Sequence, residues 1–207
     1  MRRTDRGWWR EVFLRASERT LGEGFDAATT PREAWEADEL GQRRALDRAF
    51  VRCVLGEGSG EPAKLSSAAA GLWAAAAAGR RPVAPFARTG RLLQVDERST
   101  IEQETEDELS GIHAAWRMAR VTGDSALRAR CLEAAAWCVE NLQPDNATNR
   151  PWAAHVFAEL WLREGDAGAA LYAETLLHNC QVMFGRPDRV SALVLWDASR
   201  ELGDQTG

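Results

Sequence analysis

Residues 120–129 read RVTGDSALRA and residues 162–171 read LREGDAGAAL, so a Gly-Asp pair recurs after 42 residues. Glycine accepts the left-handed conformation that ends a helix, and aspartate accepts hydrogen bonds from the free N–H groups that begin the next helix. A third pair, Gly203-Asp204, ends the last predicted helix. A period of about 40 residues is typical of stacked helical hairpins. The chain is therefore predicted to be all-α, with about eight helices in antiparallel hairpins.

The other helix boundaries are predicted from capping signals. Residues 30–33 (Thr-Pro-Arg-Glu) and residues 105–108 (Thr-Glu-Asp-Glu) both have the pattern of a capping box. Pro151 and Pro187 are each expected to begin a helix, because proline suits the first helical position. The predicted helices cover residues 1–21, 31–55, 63–78, 105–122, 125–141, 151–164, 167–184 and 187–202.

The Gly-rich segment at residues 56–62 is predicted to be a flexible break between two parts of the chain. Residues 1–62 form an N-terminal helical region, and residues 63–207 form a helical-hairpin repeat domain. The two parts are expected to make one compact unit. Residues 80–102 show little helical periodicity, and residues 92–95 are expected to form a short strand or an extended segment.

Charge and composition exclude two classes of partner. The net charge is −5, with 26 Lys and Arg against 31 Asp and Glu, so no basic excess is present to hold a nucleic acid. The longest Ala-rich run, residues 68–78, is shorter than the roughly 20 apolar residues that a membrane-spanning helix needs. The N-terminus has no uninterrupted apolar stretch of the signal-peptide kind. Four cysteines without such a signal favour reduced thiols and a cytoplasmic location.

Nine tryptophans against one tyrosine are the oddity of the composition. Tryptophan fills space between helices that otherwise carry much alanine, so most of these side chains are expected in the core. Trp152 follows a long polar loop directly, and the alternative for it is to stack on a sugar ring or an apolar ligand.

One part of the repeat resembles a known family of folds. Thr122-Gly123-Asp124, Ala134-Ala135, Trp137 and Gln143-Pro144-Asp145-Asn146 are similar to a hairpin of the α/α-toroid superfamily. That superfamily includes six-hairpin glycosidases, sugar epimerases, terpenoid cyclases and prenyltransferases. The resemblance covers residues 105–204 and implies that the hairpins stack as an open or partial α/α toroid. It also implies carbohydrate or isoprenoid ligands.

The chain departs from the family pattern in four ways. Gln143 and Pro144 are one residue closer together than in those hairpins, and Asn146 stands where they have glycine. A closed ring of six hairpins needs a longer chain. No acid/base pair of carboxylates and no Asp-rich diphosphate motif stands at a matching position, so the resemblance supplies no catalytic residue.

A polar stripe on the helix after Pro151 predicts a ligand-binding site. The helix is apolar on nearly all other sides and is expected to be central. His155 and Glu159 lie on its stripe, and His113 holds the position of His155 in the preceding repeat. If the two helices are parallel neighbours, both histidines lie at one height beside the polar loop at residues 143–150. The predicted ligand-binding residues are His113, Asp145, Asn146, Asn149, Trp152, His155 and Glu159. The alternative is a solvated seam with a His–Glu contact at i,i+4 spacing.

The sequence favours a binding function over chemistry. It has no His-x-x-x-His pair and no cluster of cysteines, so neither a metal nor a cofactor is expected. The leading hypothesis is a non-enzymatic interaction or assembly module that binds a protein, or itself, through a Trp-rich face. The alternative is a small toroid-type carbohydrate-active or sugar-binding protein that takes a small polar ligand near His113 and His155. Whether the chain is an enzyme stays open.

Overall fold

The described part of the chain is all-helical. The structure is a computed structural model that describes residues 5–29, 35, 37–42, 44–56, 67–80, 86–94, 99–144 and 149–203. These residues contain eight α-helices and no β-strand. The helices are α1 (Arg6–Leu21), α2 (Ala45–Val54), α3 (Ala68–Ala77), α4 (Ile101–Thr122), α5 (Ser125–Asn141), α6 (Ala154–Glu164), α7 (Ala167–Asn179) and α8 (Arg189–Gly203). A short 3-10 turn, Ala27–Thr29, follows α1.

Two of the three Gly-Asp corners have the predicted conformation. Gly123 ends α4 with φ 67° and Gly165 ends α6 with φ 72°, both in the left-handed region. Asp124 accepts a hydrogen bond at 2.9 Å from the N–H of Leu127 in α5, and Asp166 accepts one at 2.8 Å from the N–H of Gly168 in α7. The turn chemistry is therefore confirmed at these corners. Of the third pair, Gly203 is the last residue of α8 and Asp204 lies outside the described residues.

Several predicted helix starts were wrong. The capping box of α4 consists of Thr100 and Gln103, so Thr105 lies inside the helix and donates its hydroxyl to the carbonyl of Ile101. Of the predicted helix over residues 31–55, the structure describes α2 from Ala45 to Val54, and the described residues 37–42 are not helical. Before it, Asp38 accepts hydrogen bonds from two later N–H groups and Gly41 has φ 73°, which together form a turn. The capping box at residues 30–33 lies outside the described residues.

Three further helix boundaries differ from the prediction. α6 starts at Ala154, after Ala153 in the left-handed conformation, and Pro151 lies outside the helix. α7 ends at Asn179, and a series of turns continues to Phe184. Asp188 caps α8 by accepting hydrogen bonds from two N–H groups, so Pro187 precedes the cap.

The chain forms two compact units. Unit 1 comprises Met1–Phe25 and Ala135–Gly207, and unit 2 comprises Asp26–Ala134. α5 contributes residues to both units. The predicted boundary between residues 62 and 63 lies outside the described residues and stays a prediction.

Unit 1 is built around α6, which packs against α1, α7 and α8. Every side chain from Pro151 to Leu160 is buried, as expected for the central helix. α1 also packs against α8, and α7 lies outside α6. Phe157 of α6 stacks on Tyr172 of α7 with ring centroids 4.2 Å apart. Near the start of α7, a Cβ on Gly168 would lie 2.7 Å from a methyl carbon of Val139, so only glycine permits this approach of α7 to α5.

Unit 2 is built around α3, which packs against α2 and α4. Phe50 of α2 meets Trp73 of α3 edge to face with ring centroids 4.9 Å apart. The segment at residues 86–94, which contains an isolated antiparallel bridge between Phe86 and Leu93, lies on α4 with Leu93 against Gly111. Residues 92–94 thus contain a bend and this single bridge rather than a strand, and Val95 lies outside the described residues.

Most of the tryptophans fill the core, as predicted. Five of the nine are buried, and the other four are half-buried. The buried ones are Trp9, Trp35, Trp73, Trp116 and Trp152.

Candidate functional site

The predicted ligand-binding residues are divided between the two units. His113 lies on α4 in unit 2, whereas Trp152, His155 and Glu159 lie in unit 1. Asn149 is exposed in unit 1, and the predicted site residues Asp145 and Asn146 lie outside the described residues. The convergence of both histidines in one pocket stays a prediction, as does the sugar-binding function attached to it.

His113 is packed among aromatic rings. Its side chain is fully buried, with ring centroids 5.3 Å from Trp73 and 6.2 Å from Phe50. The indole N–H of Trp73 donates to the hydroxyl of Ser110 at 2.8 Å, which fixes the indole against α4. Within unit 2 this histidine is part of the core rather than part of a surface.

The polar stripe of α6 is buried inside unit 1. His155 and Glu159 are 0% exposed. The Glu159 carboxylate accepts hydrogen bonds from Arg6 of α1 at 2.8 and 3.1 Å and from Arg163 at 2.8 Å. Two guanidinium groups therefore balance the buried charge, which would be costly if it were unpaired. Arg6 is 153 residues away in the sequence, and nothing in the local pattern pointed to it.

A second buried ion pair in unit 1 was missed by sequence reasoning. Arg150 donates to both carboxylate oxygens of Asp188 at 2.5 Å, and the Ser191 hydroxyl donates to one of them at 2.8 Å. Burial and, to a smaller extent, the Asp188 charge raise the pKa of the neighbouring Cys180 thiol to about 12. The thiol is therefore protonated and unreactive at neutral pH. An aspartate just after Pro187 was the available signal for this helix cap.

A buried carboxylate attaches the segment at residues 86–94 to α4 in unit 2. Glu108 is 0% exposed and accepts hydrogen bonds from the N–H groups of Leu92 and Leu93, the latter at 2.9 Å. Burial raises the pKa of Glu108, and these N–H groups and Arg91 lower it by a smaller amount. Arg130 of α5 donates to the carbonyl groups of Gly90 and Arg91 from the other side. The acidic run at the start of α4 thus contains one structural carboxylate.

Unit 2 also has a shallow surface concavity with a cavity volume of only about 10 Å³, far below the roughly 300 Å³ at which ligand pockets begin. It is lined by Ala76, Gly79, Arg80, Arg117, Met118, Val121 and Thr122. Within the described ranges, no three His, Cys, Asp or Glu side chains lie together in a way that could hold a metal ion. These concave features give little support to small-molecule chemistry.

A different kind of site lies on the surface of unit 1, along α7. Its buried side chains are Ala169, Tyr172, Ala173 and Leu176, all on the side toward α6. The opposite side, called here the outer face of α7, consists of Ala167, Ala170, Leu171, Glu174, Thr175 and His178. Leu171 is 63% exposed at its centre, and Glu174 is the only acidic or basic side chain apart from the histidine. A surface helix with so few charges is atypical, because such faces are usually charged.

The outer face continues into an exposed apolar segment after the helix. Val182, Met183 and Phe184, called here the apolar tip, are 62%, 64% and 43% exposed. Seven large hydrophobic side chains of the described residues are exposed, and Leu171 with the apolar tip accounts for four of them. Single exposed hydrophobic residues are normal, but a contiguous group marks an interaction surface.

Hydrogen bonds from α1 hold the segment that carries the apolar tip. Arg19 donates to the Gln181 side chain at 2.8 Å and to the Gly185 carbonyl at 2.5 Å. Thr20 donates to the Pro187 carbonyl at 2.5 Å and accepts from Arg186 at 3.2 Å. The segment is therefore fixed on both sides of the apolar tip, although its apolar side chains face solvent.

Charged side chains flank α7 on both sides in the sequence and the fold. Before it, Glu164, the last residue of α6, is exposed and makes no ion pair with any described residue, and Asp166 caps α7. After it, Arg186 and the neighbouring Arg19 of α1 are exposed and bond only to neutral acceptors among the described residues. An acidic side chain thus lies at the corner before α7, and basic ones lie beside the segment of the apolar tip.

No protein-family model, curated protein or solved structure matches this chain. Among the described helices, none combines the length and the apolar character that crossing a bilayer requires. The function is therefore argued from the surface itself.

Proposed function

We propose that this chain is a protein-interaction module that binds its partner through the outer face of α7 and the apolar tip. The observation that carries the proposal is the exposure of three consecutive apolar side chains, Val182, Met183 and Phe184, together with exposed Leu171 on the outer face of the preceding helix. Burying such side chains against a partner stabilises a complex by about 25 cal/mol for each Å² of apolar surface. While these side chains remain exposed to water, they do not contribute a comparable free energy to folding.

The form of the surface favours a protein over a small ligand. Small ligands bind in concave pockets that cover most of their surface, whereas this surface follows the outside of a helix. Large apolar anchors surrounded by polar and charged side chains are the arrangement found in protein interfaces. The anchors here are leucine, methionine and phenylalanine, because most of the tryptophans are in the core.

The rigidity of the apolar tip also supports the proposal. Binding costs less when a loop is already ordered in its bound conformation. Arg19 and Thr20 of α1 hold both sides of the apolar tip before any partner arrives. A segment with no external role would more often bury its apolar side chains or replace them with polar ones.

Site-specific photo-crosslinking tests the proposal. A benzoylphenylalanine at position 171 is expected to form adducts of defined mass with a partner protein in the cells that produce this chain. The matched control is the same residue at position 15 of α1, where the Arg15 side chain is 76% exposed. Met183→Glu is expected to abolish the adducts from position 171, because it places a charge in the apolar interface. Equal adducts at both positions, or none at either, would contradict the proposal.

A further inference from the structure

We infer that the partner binds the apolar tip through an acidic segment, whose carboxylates pair with Arg19 and Arg186 while a neighbouring apolar side chain packs on the apolar tip. This inference rests on the proposed function and states the chemistry of the protein that the surface binds. It follows from the charges that the fold places beside the apolar tip.

Two arginines are fixed beside the apolar tip by hydrogen bonds. Arg19 of α1 donates at 2.5 Å to the carbonyl of Gly185, the residue that follows Phe184. Arg186 is the next residue in the chain and donates to the Thr20 hydroxyl at 3.2 Å. Both guanidinium groups are therefore held near the exposed apolar side chains before any partner binds, which lowers the entropy cost of pairing with them.

The charges of these two arginines are not balanced by any described carboxylate. Both side chains are exposed, and the acceptors of their hydrogen bonds are neutral. Elsewhere in unit 1, by contrast, Arg150 is paired with Asp188. The planar guanidinium group offers five N–H donors in an arrangement that matches a carboxylate, so Arg19 and Arg186 are suited to bind carboxylates of another molecule.

The sequence around the apolar tip supplies no acidic side chain. Residues 175–187 contain neither Asp nor Glu, although the whole chain has 31 acidic against 26 basic residues. The next acidic residue, Asp188, is buried and bonded to Arg150. The charge beside the apolar tip is thus positive in a chain whose net charge is −5, which favours an acidic partner segment and disfavours a basic one.

The apolar tip determines the second feature of the partner segment. Val182, Met183 and Phe184 are 62%, 64% and 43% exposed, and burying them requires apolar side chains on the partner. Charge pairs at the edge of such a contact fix its orientation and suppress wrong partners. The expected partner segment therefore has a large apolar side chain within a few residues of Asp or Glu.

The observations favour an acidic protein segment over an anionic lipid surface. Recognition of anionic lipids typically uses about four to eight clustered Lys and Arg residues. Here two arginines lie beside the apolar tip, and the net charge of −5 opposes approach to a negative membrane. Binding to lipid is therefore the competing outcome of the test.

Photo-crosslinking from the apolar tip identifies the chemistry of the partner. Benzoylphenylalanine replaces Met183 of the full chain in the cells that produce it, and the adducts are digested and mapped by mass spectrometry. The attached peptides are expected to contain Asp or Glu within about four residues of the crosslinked position, because an extended chain advances about 3.3 Å for each residue. Attached peptides without such residues, or adducts with the mass of a lipid, would overturn the inference.

Charge variants at position 186 test the role of the arginines, with the crosslinker at position 171 as the readout. Arg186→Glu is expected to lower the adduct yield about tenfold, because it places like charges together. Arg186→Lys keeps the charge and is expected to retain most of the yield. Both variants lose the same 3.2 Å hydrogen bond to Thr20, so its loss cannot produce a difference between them.

A matched control separates a local charge effect from the change in net charge. Arg80→Glu, at an exposed position in unit 2, alters the net charge as Arg186→Glu does and is expected to leave the yield unchanged. Equal yields from Arg186→Glu and Arg186→Lys, or an equal loss with Arg80→Glu, would overturn the inference.

The inference and the proposed function can fail separately. If position 171 gives specific protein adducts whose yield does not depend on the charge at position 186, the proposed function stands and the acidic segment is wrong. If neither position 171 nor position 183 gives a specific protein adduct, both proposals are overturned.

Discussion

Two irregular segments are each held by an arginine that donates to a glycine carbonyl. One segment buries its apolar side chains, and the other exposes them. In unit 2, Arg130 donates to the Gly90 carbonyl at 2.9 Å and holds the segment at residues 86–94. In unit 1, Arg19 donates to the Gly185 carbonyl at 2.5 Å and holds the segment at residues 180–187. In the first segment Leu92 and Leu93 are buried, whereas in the second Met183 is 64% exposed.

This difference distinguishes apolar side chains that stabilise the fold from apolar side chains that remain exposed to solvent. Leu93 packs against Gly111, and Glu108 binds the backbone of the same segment, so this segment stabilises unit 2. The segment at residues 180–187 is also anchored, but the three side chains of its apolar tip remain exposed. Such side chains are expected to matter for a partner and not for folding.

The largest expected effect contrasts the two segments directly. Leu93→Ala removes a side chain that is 4% exposed, and truncating such a leucine costs about 3 kcal/mol of unfolding free energy. Met183→Ala is expected to change it by less than about 0.5 kcal/mol, because surface substitutions are usually nearly neutral. Urea unfolding of both variants measures the difference. A similar loss of unfolding free energy in both variants would contradict the proposed difference between the two segments.

A second prediction concerns the buried carboxylate in unit 2. Glu108→Gln leaves one of the two N–H groups, of Leu92 or Leu93, without its acceptor, at an expected cost of about 2 kcal/mol near pH 5. Glu104→Gln is the matched control on the same helix, because Glu104 accepts only a 3.3 Å hydrogen bond from Arg91 at a half-buried position. Equal losses in both variants would show that the buried hydrogen bonds are not the cause.

The pH dependence of the Glu108→Gln effect has a definite sign. Burial raises the pKa of Glu108 above 4.5, so the folded protein holds this proton more tightly than the unfolded chain does. The contribution of that proton to stability is full below about pH 4.5 and is lost as the pH rises through the folded-state pKa. Glutamine does not titrate, so the difference between wild type and variant is expected to decrease with rising pH. Urea unfolding of both proteins between pH 4 and 8 measures it, and a difference that grows with pH would contradict the raised pKa.

Local turn chemistry was the most predictable part of the fold. Gly123 and Gly165 end their helices as expected, because one residue and its backbone conformation decide the turn. The N-cap of α4 was placed five residues late, because Thr100-Gln103 and Thr105-Glu108 satisfy the same capping pattern. The second box is not used in the fold, where Glu108 binds the backbone of residues 92 and 93 instead. The two capping patterns are equivalent in the local sequence, and the contact of Glu108 with residues 92 and 93 distinguishes them only in the folded chain.

The candidate surface was less predictable than the fold. The sequence pattern extended α7 to Phe184, which hid the exposed apolar tip inside a predicted helix. Tryptophan and histidine drew attention as chemically distinctive residues, yet Trp152, His113 and His155 are fully buried. Exposure depends on which side of a helix its neighbours cover, and for α7 this depends on α6 and α5. Single-sequence periodicity does not contain that information.

The third prediction tests how closely the segment at residues 86–94 lies on α4. A Cβ at position 111 would lie 2.7 Å from Leu93 Cδ1, so Gly111→Ala is expected to cost about 1.5 kcal/mol through overpacking. In a Leu93→Ala background the cost is expected to disappear, because the opposing methyl group is gone and alanine favours the helix over glycine. A double-mutant cycle by urea unfolding measures the coupling. Additive losses would mean that Gly111 serves backbone geometry and not the contact with Leu93.

A small effect on stability is also expected at the anchor of the apolar tip. Arg19→Ala removes hydrogen bonds from an exposed guanidinium to Gln181 and Gly185, so the unfolding free energy is expected to fall by only about 0.5 kcal/mol. Hydrogen exchange of the amides at residues 181–186 is expected to accelerate while the rest of unit 1 keeps its protection. Arg130→Ala is the matched change in unit 2 and is expected to lower global stability more, because Arg130 holds a segment whose leucines are buried. If Arg19→Ala lowers the yield of crosslinked adducts from position 171 by a larger factor than it weakens folding, the anchor serves the partner, since a loosened apolar tip must be ordered again on binding.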